Sequence, residues 1–145
     1  MAGFADTFEN DLCKLIFNGT AIGNIADNAA SAPLTTLWMA LHTADPADTG
    51  TQGTNEGGYA QYTRISVARS TAGWVVTNNS VSPVANVDFP QNTSTSTGTF
   101  THASIGVTSA STASKILAFG TISPNINFSQ NVTPRLTTGS SFTLD

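Results

Sequence analysis

From residue 34 onward, apolar residues recur at every second position in short runs divided by turn-forming residues, and this period of two constrains the fold more than any other feature. Eight runs are predicted as strands: Leu34–His42, Tyr62–Arg69, Gly73–Thr77, Val84–Phe89, Thr99–Thr108, Lys115–Ile122, Asn125–Val132 and Ser140–Leu144. Thr71-Ala72-Gly73, Asn78-Asn79, Ser82-Pro83, Ser123-Pro124 and Thr138-Gly139 read as the turns between them. Short strands at near-regular spacing, with no strand–helix–strand alternation, predict a mainly β fold: an antiparallel β-sandwich of the jelly-roll type.

One segment departs from this rhythm. Phe8, Leu12, Leu15 and Ile16 fall on a single helical face, Asp6 or Thr7 can cap the start, and Asn18-Gly19 supplies a stop. A short amphipathic helix is therefore expected over residues 7–17, with a weaker helical turn around Ile22 to Ala30. The chain of 145 residues has the size of one domain. Residues 1–33 are expected to form a helical segment packing on or extending from a sandwich of residues 34–145.

Composition narrows the function. Only 10% of residues are charged, against roughly 25% in ordinary domains, while 23 Thr, 15 Ser and 12 Asn supply a third of the chain. Five Lys and Arg against nine Asp and Glu leave a net charge of -4, which argues against binding nucleic acid, whose phosphates require clustered cations. No apolar run approaches the roughly 20 residues that span a bilayer, and Met1 to Asp6 has no basic and apolar leader pattern, so neither membrane nor secretory signal is expected. The single cysteine, Cys13, permits no internal disulfide and fits synthesis in a reducing compartment.

A catalytic constellation is equally hard to assemble. Asp48-Thr49-Gly50 is the aspartic-protease triplet, but it lies within a polar loop rather than after an apolar strand. His42, Asp45, Asp48 and His102 lack a recognised ligand spacing, and a histidine on a strand is more often a hydrogen-bonded structural residue, so no metal or other cofactor is expected. No Gly-x-Ser-x-Gly or phosphate-binding glycine loop occurs. Between Phe89 and Leu144 there is no carboxylate at all, so this half reads as scaffold and the protein as no enzyme.

Two loops stand out. Residues 43–58 hold Pro46, Gly50, Gly53, Gly57 and Gly58 among polar residues, a composition that buries little and can hydrogen-bond to itself or to a partner. Gln91 to Gly98 has no apolar residue and reads as a mobile loop. Phe4 and Phe8, one helical turn apart, form either a partner patch or the face the helix lays on the sandwich. Trp38 and Trp74 read as core, which disfavours the exposed aromatic platform of a carbohydrate-binding module.

The stretch Leu37-Trp38-Met39-Ala40-Leu41-His42-Thr43-Ala44-Asp45-Pro46-Ala47-Asp48-Thr49-Gly50, continued by Gln52, Asn55-Glu56, Gly57-Gly58-Tyr59-Ala60 and Arg64, resembles a family of small virion proteins of tailed bacteriophages. Ala47 stands where glycine is frequent in that pattern, and Gln61-Tyr62 intervene before Arg64. Within the family, the chain is most similar to head cement (decoration) proteins such as that of a short-tailed Bordetella phage. The resemblance implies a structural protein on the outer surface of the capsid, binding a major capsid protein of the HK97-like fold and stabilising the shell, with a tail or tail-fibre location as the alternative. It also implies self-association, expected to be a dimer on symmetry grounds. Phe4, Phe8, Asp45, Asp48, Glu56 and Tyr59 are the expected interface residues.

Overall fold

A computed structural model describes residues 6–22, 33–109 and 114–143. The fold is mainly β, with nine strands among the described residues and one short N-terminal helix, consistent with a β-sandwich. A four-stranded sheet runs in the order β2 (Ile65–Ala68), β1 (Thr36–His42), β6 (Gly98–Gly106), β7 (Ile116–Phe128). A three-stranded sheet orders β3 (Trp74–Thr77), β4 (Ser80–Pro83) and β9 (Phe142–Thr143), and β5 (Val87–Asp88) pairs with β8 (Arg135–Leu136). The ladders β1–β6, β6–β7, β3–β4, β4–β9 and β5–β8 are all antiparallel.

The chain divides into two compact units: Met1–Leu37, Val67–Ala85 and Thr137–Asp145 form the first, and Trp38–Ser66 with Asn86–Leu136 the second. In the first unit, helix α1 (Asp6–Cys13) passes directly into a π-helical turn, Lys14–Asn18, which ends where Gly19 adopts the left-handed conformation at φ 67°. Asn18-Gly19 thus acts as the expected stop. Phe17 is buried and meets Trp74 edge to face, with ring centroids 5.2 Å apart. The open carbonyls of the helical end are taken by Arg69, whose Nε donates to Ile16 O at 2.6 Å and whose second terminal nitrogen donates to Leu15 O at 2.5 Å. The expected turn from Ile22 to Ala30 and the final residues of the last run lie outside the described residues, apart from Ile22, which is buried.

In the second unit, β1 is buried along both faces from Met39 to His42, as its near-continuous apolar run requires of a strand flanked by β2 and β6. Trp38, expected in the core, is only half-buried, whereas Trp74 of the first unit is 1% exposed. Tyr59, Tyr62, Phe89, Phe100 and Phe128 make one aromatic cluster, in which Tyr62 stacks on Phe89 with an interplanar angle of 8°. Side chains at Gly58 or Gly98 would run into the Phe128 ring, so glycine is needed at both positions for this wedge.

Three expectations are corrected. Lys115–Ile122 and Asn125–Val132 are not two strands but largely one, β7, in which Ser123-Pro124 falls at a register irregularity between the pairs Phe100–Ile126 and His102–Thr121 of the ladder to β6. Ser82-Pro83 is not a turn: it belongs to β4, which pairs with β3 across the Asn78-Asn79 turn, where Asn78 takes φ 55°. Gln91 to Gly98 is not loose, since Asn92 is fully buried and its side chain donates to Ser96 O at 2.8 Å while accepting from Ser94 N and Oγ at 2.9 and 2.6 Å.

Candidate functional site

The long loop after β1 is held both at its ends and from within. Its two ends are tied together, with Thr43 N–H donating to Asn55 O at 2.9 Å and Gly57 N–H to Leu41 O at 3.1 Å. Ala47 and Asn55 sit in the left-handed region at φ 61° and 55°. The value at Ala47 accounts for the frequent glycine at that place in the family pattern. Contrary to the expectation that this loop buries little, Pro46 and Gln52 are fully buried. Gln52 reaches inward, its Nε2 donating to Trp38 O at 2.7 Å and its Oε1 accepting from Ser114 Oγ at 3.3 Å. A side chain at Gly106 would collide with it.

Beneath the loop lies a buried ion pair. Arg64 Nε and one terminal nitrogen donate to the two oxygens of Glu56 at 2.6 and 2.8 Å, and the other terminal nitrogen donates to Thr108 O at 2.9 Å and Ser114 Oγ at 2.7 Å. The two side chains are only 2% and 9% exposed. Two parallel bonds and two further acceptors use the guanidinium fork nearly to capacity, the condition under which burying such a charge is tolerable. Tyr62 completes the arrangement, its hydroxyl accepting from Leu41 N–H at 2.7 Å and lying 3.4 Å from Glu56 Oε1.

These residues floor an open cavity of about 390 Å³, lined by Glu56, Gly57, Gly58, Tyr59, Tyr62, Thr63, Arg64 and Ser109. Its chemistry is that of a scaffold. Tyr59 donates to Pro90 O at 2.7 Å and burial pushes its pKa up to about 12, while burial lifts Tyr62 well above the ordinary tyrosine range, so both remain protonated near neutrality. Glu56 and Arg64 satisfy one another. Among the described residues, no group of three His, Cys, Asp or Glu is placed to hold a metal ion.

His42 is a structural histidine, as its place on a strand suggested. It is fully buried, and its Nδ1 lies 2.8 Å from Thr54 O and its Nε2 2.7 Å from Ser104 Oγ. A carbonyl oxygen only accepts, so Nδ1 carries the proton and Nε2 accepts from the serine hydroxyl. Burial, the largest influence, holds its pKa below the ordinary histidine value.

The structure gathers only part of the expected interface set. Glu56 and Tyr59 line the same cavity, but their side chains turn inward. Asp45 and Asp48 are exposed on the loop, and Asp45 Oδ1 accepts from Ala47 N–H at 2.8 Å. Phe8 is half-buried on α1, and Phe4 lies outside the described residues. Gln52 and Arg64 entered the reading only as motif letters, and Ser114 carried no signal, since it joins Arg64 across 50 positions of sequence.

The residues that made up the phage-like pattern are thus those that hold the loop: Gln52, Glu56, Gly57 at φ 73°, Gly58, Tyr59 and Arg64. Among the described residues, no helix is long and apolar enough to cross a membrane. No curated protein matches the chain. Residues 3–142, nearly the whole chain, match the family described as podophage GP4 fiber I protein gp80. The chain therefore belongs to the podophage GP4 fiber I protein gp80 family and is a structural protein of a phage virion.

Proposed function

We propose that the protein is a non-catalytic building block of a podophage fibre, contributing a rigid β domain to the assembly. The observation that carries this reading is the family match across residues 3–142, whose description is that of a fibre protein. The loop of residues 43–58 supports it, because a surface pre-ordered by Gln52, Glu56 and Arg64 loses little conformational entropy when it meets a neighbouring virion subunit. Its exposed members, Asp45 and Asp48, are the groups to contact that subunit.

A second reading, a cement protein clamping the outside of an HK97-like capsid shell, rests on the resemblance of the stretch from Leu37 to Arg64 to head decoration proteins. A carbohydrate-binding module is not favoured, because Trp74 is buried and Trp38 half-buried. Immunogold labelling of purified virions, with copy number measured against the major capsid protein, separates the two virion readings. Label confined to fibres at low copy number is the expected result. Even decoration of the whole shell at near capsid stoichiometry would overturn it in favour of the cement role.

A further inference from the structure

We infer that Asn18-Gly19 is a latent site of spontaneous covalent modification, silent while the helical end of the first unit is closed and converted to isoaspartate when that end opens. The sequence contains a single Asn-Gly pair, Asn18-Gly19. Glycine has no Cβ to crowd its own nitrogen, so a peptide nitrogen that follows asparagine is least hindered there. The reaction is internal to the chain. Gly19 N attacks Asn18 Cγ and forms a C–N bond, the Cγ–Nδ2 bond breaks, and the side-chain nitrogen leaves as ammonia with the proton that Gly19 N gives up. Water then opens the succinimide at one carbonyl to give aspartate, or at the other to give isoaspartate, in which the main chain runs through Cβ and Cγ.

The fold restrains the attacking atom. Asn18 ends the π-helical turn, and Gly19, left-handed at φ 67°, donates its N–H back to Lys14 O. Thr20 N–H donates to the same carbonyl at 3.1 Å. Arg69 fixes the turn through Leu15 O and Ile16 O, and Phe17, buried against Trp74, anchors it to β3. A nitrogen turned back along the helix axis does not face the side chain of the residue before it. The electrophile is held less firmly. Asn18 Oδ1 and Trp74 Nε1 are the two buried side-chain polar atoms among the described residues that have no hydrogen-bond partner. Buried polar groups are ordinarily satisfied. Here no donor ties down the carbonyl of the carboxamide, so the restraint on the reaction comes from the backbone.

Opening of the helical end is therefore the gate, and it ties two rates together. Gly19 N–H must leave Lys14 O both to exchange its hydrogen and to attack Asn18. The factor by which folding slows modification should equal the factor by which it slows hydrogen exchange at Gly19. The change is also one-way. Isoaspartate lengthens the main chain next to the left-handed stop, and either product puts a carboxylate beside the open carbonyls of a helical C-terminus, where negative charge is disfavoured. The inference holds for either virion location.

The full chain tests this when incubated at neutral pH, folded in buffer and unfolded in urea. Isoaspartate at residue 18 is followed by peptide mass spectrometry and by enzymatic carboxyl methylation, and exchange at Gly19 by NMR. In urea, Asn18 is expected to convert before any other asparagine. In the folded chain its conversion should be slower by the Gly19 protection factor, to within about threefold. Arg69→Lys, which loosens the helical end, should raise both rates by the same factor. The wild-type comparison needs no substitution, so it decides the matter even where the variant does not fold. Folded conversion at the unfolded rate, earlier conversion of another asparagine in urea, or a slowing that departs further from the Gly19 protection factor would each overturn the inference.

Discussion

Arg64 and Glu56 lie eight positions apart and meet as a bidentate, nearly solvent-free ion pair, 2.6 Å at the closer contact, with Ser114 and Thr108 O taking the guanidinium's remaining reach. The pair is the fixed point on which the loop after β1 rests. Removing one partner leaves the other charge largely desolvated and without its counter-ion.

Glu56→Ala is therefore expected to destabilise the protein by about 3–5 kcal/mol. The double substitution Glu56→Leu with Arg64→Met should cost much less than the two single substitutions added together. Urea unfolding of the four proteins in a double-mutant cycle checks this, and additive losses would refute the coupling.

Gln52→Leu keeps most of the buried volume but leaves Trp38 O without its donor and Ser114 Oγ without an acceptor. The expected loss is about 1–3 kcal/mol. Because the loop is pinned from within by this side chain, limited proteolysis should cut first between residues 43 and 56. An unchanged cleavage pattern would show that the end closures at Thr43 and Gly57 suffice.

His42 gives stability a defined pH dependence. Burial holds its folded pKa below the unfolded value of about 6.5, so below that pH the unfolded chain binds a proton that the folded chain resists. Its contribution is fully present above about pH 6.5 and is lost as the pH falls toward the folded pKa. The Asp88–Arg135 pair, which lowers the Asp88 pKa through its hydrogen bond, contributes stability that is present above the ordinary carboxylate range and lost only below it, so the two windows of pH dependence do not overlap. Melting temperature should fall between about pH 7.5 and 5.5, and His42→Gln should melt lower at neutrality but with a flatter slope. Equal slopes would assign the effect elsewhere.

Arg69→Lys tests the helical end of the first unit. An ammonium cannot reproduce the fork that holds Leu15 O and Ile16 O, and a loss of about 2 kcal/mol is expected. Hydrogen exchange should accelerate over residues 6–18 while amides of β6 stay protected. Uniform acceleration through the whole chain would contradict a local role.

How much was legible in the sequence follows the range of the forces involved. The helix stop at Asn18-Gly19 and the buried run of β1 were readable, because a left-handed glycine and a near-continuous apolar run are local properties. The motif from Leu37 to Arg64 was readable as a pattern but not as a mechanism. The hydrogen-bonded fate of His42 was anticipated from its strand alone; its partner Ser104, 62 positions away, was not.

Composition and periodicity by themselves determined that this chain builds antiparallel sheets with an almost uncharged C-terminal half, since alternating burial and scarce carboxylates need no long-range information. Only the tertiary structure decided that Ser123-Pro124 interrupts the register of one long strand instead of separating two, because pairing with β6 on both sides, Phe100 with Ile126 and His102 with Thr121, keeps the segment in the sheet. It alone decided that Gln52, Glu56 and Arg64 turn inward to meet Ser114, a pairing that arises once folding excludes water and leaves each buried polar group in need of a partner.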